Sequence, residues 1–135
     1  MRRWIGALAA AIALAWWAVA GSGGAEPPRM SGAGRLYAVA VTLDRATTGA
    51  IAADVRVEEG GAPARNVESV SVSAAMPGMG HVTPEVAAHR AGAGHFVARG
   101  EFFAMAGEWQ LTIRVRGPSG SEVSTVNVTI EREKP

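Results

Sequence analysis

The chain contains no cysteine. That excludes disulfides, thiolate metal sites and a lipidated N-terminal cysteine, so any soft metal would have to be held by methionine and histidine. Clustered charge is also scarce. Thirteen Lys and Arg face twelve Asp and Glu, for a formal net charge of +1, and they form neither a basic patch for nucleic acid nor an acidic tail. No nucleophile–base–orienter set can be assembled. His81 has no Ser or Cys partner in a motif, Glu85 is a generic carboxylate, and Glu58 and Glu59 precede "GGAP" in what reads as a solvated turn. The "AGAG" stretch lies between strand-like runs rather than ahead of a helix, so it does not form a phosphate loop. The chain is therefore not expected to be an enzyme, and no small-molecule substrate is evident.

A helical stripe is missing from the chain beyond its first twenty residues. In its place are short runs of period two: Tyr37, Val39, Val41 and Leu43; Ile51, Ala53, Val55 and Val57; Val70, Val72 and Ala74; Phe96, Ala98 and Phe102; Trp109, Leu111, Ile113 and Val115; Val126, Val128 and Ile130. Polar residues occupy the alternate positions, which argues for strands with one wet face. A weaker candidate runs from Glu85 to Arg90. The breaks "RATTG", "EGGAPAR", "MPGMGHVTP", "AGAG", "AMAG" and "GPSGS" are rich in turn residues. The expected fold is all-β: a seven-stranded antiparallel immunoglobulin-like β-sandwich over residues 35–131, with a small barrel as the competing architecture.

The N-terminus differs in kind. Arg2 and Arg3 precede an uncharged, mostly apolar run of sixteen residues, Ile5–Ala20, which ends in the small-residue pattern Ala18-Val19-Ala20. This reads as a signal peptide over residues 1–20, which would make the protein periplasmic or extracellular. The alternative is an uncleaved membrane anchor, with Trp16 and Trp17 at the interface. Cleavage would remove Arg2 and Arg3 and lower the formal charge from +1 to −1. Residues 21–34, "GSGGAEPPRMSGAG", read as a flexible linker.

The stretch that carries chemistry is Ala75–His81, "AMPGMGH", with two of the chain's five methionines. Met76-Pro77-Gly78-Met79 has the Pro-Gly signature of a type II turn, which would bring Met76 and Met79 towards one point with His81 in reach. Two thioethers and an imidazole suit copper, and Cu(I) above all. The competing reading is that Met76, which keeps the inward phase of Val70, Val72 and Ala74, simply fills the end of the core. In a sandwich the "FFAMAGEW" connection would share a pole with this stretch, which adds Met105 as a candidate ligand. Met105 has its own alternative, packing against Trp109 or Phe103. His89 and His95 would flank a turn at the opposite pole, as a second surface site or as plain surface residues.

Taken together, "MPGMGH" and the later "GEFFAMAGEWQLTIRV" resemble the YtkA-like domain family, which is related to FixH-like domains. The resemblance covers roughly Leu36–Ile130. It implies a small exported or membrane-tethered β-sandwich that works near copper supply or oxidase assembly. By position, Met76, Met79 and His81 match the family's first motif, and Met105, Gly107 and Trp109 the second. The resemblance gives Gly107 the corner turn and Trp109 a place in the core. The expected function is copper handling outside the cytoplasm, with a copper-trafficking or membrane-protein partner. The alternative is a metal-free module whose Met-rich pole contacts a membrane protein.

Overall fold

The computed structural model describes residues 27–134, so the expected signal peptide, residues 1–20, lies outside the described residues. The fold is an antiparallel β-sandwich. The strands are β1 (Arg29–Ala33), β2 (Ala38–Leu43), β3 (Ile51–Glu59), β4 (Ala62–Pro63), β5 (Ser69–Met76), β6 (His81–Val82), β7 (Val86–Ala87), β8 (His89–Gly92), β9 (His95–Gly100), β10 (Gly107–Gly117) and β11 (Gly120–Ile130). One sheet runs β1-β2-β3-β9-β8, with β4 on β3. The other runs β11-β10-β5-β6, with β7 on β5.

The strand count is eleven among the described residues rather than seven. Six of the expected strands are present as β2, β3, β5, β9, β10 and β11. The weak Glu85–Arg90 candidate divides, because β7 pairs with β5 in one sheet and β8 with β9 in the other. The two-residue strands β4 and β6 are too short to show a period. β1 corrects the linker boundary: Arg29–Ala33, inside the stretch read as linker, pairs in full register with β2 from Arg29↔Thr42 to Ala33↔Ala38. Its hold is mainly the backbone ladder, which Gly and Ser supply as well as any residue.

The inward rows read from the sequence are buried without exception. Val41, Leu43, Ala53, Val55, Val72, Ala98, Leu111 and Ile113 have no exposed surface at all. Trp109 lies beneath them at one end, with the Phe103 ring edge-on at 5.5 Å. The long β10–β11 ladder, Gly107↔Ile130 to Gly117↔Gly120, is joined by the two-residue turn Pro118-Ser119.

The strand directions define two poles. The chain emerges at Pro27 beside the end of β2, where Leu43 N–H donates to the Pro28 carbonyl. The β2–β3 loop lies there too, and it is tied to the end of β11 by Glu131 N–H to the Ala46 carbonyl and Thr48 N–H to the Glu131 carbonyl. Ile130 is paired with Gly107 at the start of β10, and Gln110 with Ala75 near the end of β5. The β5–β6 tip therefore shares this pole with the chain's emergence and with the β9–β10 corner that carries Met105.

Candidate metal centre

Met76 and His81 face each other directly across the β5–β6 pair. Residues so opposed project from the same face of a sheet, with Cβ atoms about 4.5–5.5 Å apart. Between them Pro77–Met79 forms a single 3-10 turn, closed by Gly80 N–H to the Pro77 carbonyl at 3.4 Å. This corrects the expected type II turn. Pro77 begins a 3-10 turn instead, and the positive φ falls on Gly80, at 68°, where the chain bends into β6.

Thr83, which the sequence reading passed over, clamps this hairpin. Its Oγ1 accepts from Ala74 N–H at 3.0 Å and donates to the Ala74 carbonyl at 3.1 Å, while its own N–H donates to the same carbonyl at 2.8 Å. Nothing in local sequence marks it, because its partner lies nine residues away. Glu85 follows and takes the Arg114 guanidinium at 3.0 Å. That hydrogen bond, helped by one from Ser71, holds its carboxyl below the usual carboxylate range.

The four candidate ligands differ in setting. Met76 is a core residue, 7% exposed. Met79 stands at the tip, 63% exposed, and His81 is exposed beside it. Met105 is half-buried against the core in the neighbouring corner. Its carbonyl accepts the Trp109 indole N–H at 2.8 Å, a hydrogen bond from the Trp109 side chain to the Met105 backbone. Gly107, at φ +139°, sits against the end of the Met76 side chain. The hairpin thus gathers Met76, Met79 and His81 on one tip, and the corner brings Met105 to the same pole. Thioether and imidazole are the ligand types that a soft monovalent cation takes; here Met76 lies in the core while Met79 and His81 are exposed. No group of three or more His, Asp or Glu that could hold an ion occurs among the described residues, which leaves hard-ligand and zinc-type sites without a candidate there.

His95 lies towards the other pole, whereas His89 sits near the middle of the first sheet, and the two are not paired with each other. The His95 Nε2 is 2.5 Å from Asp54 Oδ2 on the outer face of the first sheet, while His89 opposes Val97. The tip itself projects from the fold. A depression of about 380 Å³ lies instead on the outer face of the first sheet, between Arg29, Ala38, Arg56 and Glu58.

The YtkA-like family profile matches residues 32–114, which takes in both the tip and the Met105 corner. The chain belongs to the YtkA-like family. No curated protein matches it. Among solved structures, a crystallised engineered protein superposes on this YtkA-like chain with a TM-score of 0.53 at 19% identity, over 73% of this chain and 21% of that one. At that identity the likeness speaks for the fold alone, and the chain spans about a fifth of that structure's length.

Proposed function

We propose that this YtkA-like protein is an exported copper-binding accessory protein. It holds one Cu(I) through Met76, Met79 and His81, with Met105 as the fourth donor. The observation that carries the reading is the direct cross-strand opposition of Met76 and His81, with Met79 in the turn between them. Bound Cu(I) would supply a soft, exchangeable centre that thioether and imidazole ligands hold and release. The protein's own part is to fix the hairpin through Thr83 and to hold Met79 and His81 together at its tip. The test is a competition titration against a Cu(I) chelator. One equivalent bound by the native chain, weakened in Met79→Leu, supports the site. Equal affinities in the two proteins would remove it.

A second reading is favoured by the exposure of Met79 at 63% and of Val82 at 74%. In it the tip is a metal-free apolar contact for a membrane-protein partner. A null result in the titration would leave this reading standing.

A further inference from the structure

Three large hydrophobic side chains are exposed among the described residues, and two of them, Met79 and Val82, lie on the β5–β6 tip. From Met76 to Pro84, "MPGMGHVTP", no Asp, Glu, Lys or Arg interrupts this tip. Exposed apolar side chains gathered on one projection mark a surface that something covers. The direction of the chain indicates what does.

The described chain begins at Pro27, at the same pole as the tip, through the contacts Pro28–Leu43, Ala46–Glu131, Ile130–Gly107 and Ala75–Gln110. Before Pro27 the sequence has no charged residue between Arg3 and Glu26 and contains the apolar run Ile5–Ala20. Residues 21–26 span at most about 20 Å even when fully extended. Arg2 and Arg3 ahead of the run favour the orientation that leaves residues 27–134 on the far side of a membrane from them. If the run stays in a bilayer, the pole within its reach is the one that bears Met79 and Val82. Asp44, Glu101, Glu131 and Glu133 occur at this pole together with Arg45, Arg132 and Lys134, and Arg45 is paired with Glu133, so the pole carries little net charge and suits an uncharged lipid surface.

We infer that the Met79–Val82 tip rests on the surface of a lipid bilayer, on the side from which the chain emerges. The inference is independent of metal binding, since it uses the apolar side chains and the strand directions alone. It favours the anchor over the cleaved signal peptide for residues 1–20.

The absence of cysteine provides a clean background for the test. Val82→Cys and, at the opposite pole, Arg65→Cys are each labelled with a polarity-sensitive fluorophore in the full chain. Both positions are exposed, so neither change threatens the core. The chains are reconstituted in phosphatidylcholine vesicles with and without nitroxide-labelled lipid. The expected result is a blue-shifted Val82 label, quenched several-fold more than the Arg65 label. Equal quenching at the two poles, or a Val82 label with the spectrum of water, would overturn the inference and leave a protein partner to cover the tip. Release of the domain from cell membranes with loss of residues 1–20, seen by mass spectrometry, would overturn it as well.

Discussion

A Cβ built on Gly107 would stand 2.8 Å from the ε-carbon of Met76. The two residues belong to neighbouring strands of one sheet, and the missing side chain of one makes room for the end of the other. Gly107 also holds φ at +139°, a conformation that side-chain-bearing residues rarely adopt. Gly107→Ala should therefore cost about 1–3 kcal/mol, mostly through the backbone, because the flexible methionine end can move aside. Urea unfolding measures this. If Met76 is a ligand, the same change should also weaken Cu(I), since the displaced group carries the sulfur.

Among the described residues Trp109 is the largest fully buried side chain, packed edge-on to Phe103 and bonded to the Met105 carbonyl. Trp109→Ala should lose about 3–5 kcal/mol. Trp109→Phe should lose less, and it isolates the indole hydrogen bond that holds the Met105 corner. A loss below about 1 kcal/mol for the alanine variant would be incompatible with a site packed at core density.

At the tip, Met79→Leu preserves size and apolarity at an exposed position, so stability should change by less than about 0.5 kcal/mol. Its Cu(I) affinity should fall at least about tenfold, or about 1.4 kcal/mol. His81→Ala should weaken binding further and flatten its pH dependence, because an imidazole must be neutral to ligate. Zn²⁺ should compete poorly in every variant, since thioether is a poor ligand for it. Chelator competition at several pH values reads all three expectations.

Glu122 supports a different prediction. Its carboxylate accepts the Tyr37 and Leu36 N–H groups at 2.9 Å each, and these bonds, that from Tyr37 first, hold its pKa below the ordinary value. A carboxyl with a depressed folded pKa contributes stability that is present above its unfolded value of about 4.3 and lost as pH falls through the folded value. The native chain should therefore lose stability on acidification from about pH 5 downward. Glu122→Gln should be less stable at neutral pH and show a shallower acid limb. Denaturant midpoints against pH measure the difference.

How much of this was legible in the sequence depends on what each element asks of its side chains. Trp109, Leu111, Ile113 and Val115 alternate because β10 has one wet face, and β10 is where the reading placed it. β1 was hidden because its hold comes mainly from backbone pairing, so Ser31 and Gly32 left no apolar period to see. The tip was found by its residue types, but its turn was misread: Pro-Gly fits both a type II turn and the first step of a 3-10 turn, and only Gly80 decides between them. The Thr83 clamp and the exposure of Val82 depend on β6, which two residues cannot announce. That Met76 and Met105 share a pole followed from strand order. That Met76 is also a core residue followed from its phase, and the structure keeps both facts together.

The β10–β11 ladder also bears on how the chain reaches this state. Its pairs run without a register shift from Gly117↔Gly120 out to Gly107↔Ile130, and its turn leaves two residues outside the ladder. The turns at Gly60-Gly61 and Ala93-Gly94 are as short, but this one leads into the longest unbroken ladder, so this hairpin is the expected nucleus, zipping outward from Pro118 and Ser119 on the timescale of microseconds expected for hairpins. The pairings between β3 and β9 and between β5 and β10 join segments far apart in sequence, so they must wait for slower closures. The β10–β11 zipper ends at Gly107, so in that order the Trp109 pole would be assembled on a strand already in place, to which β5 then brings Met76.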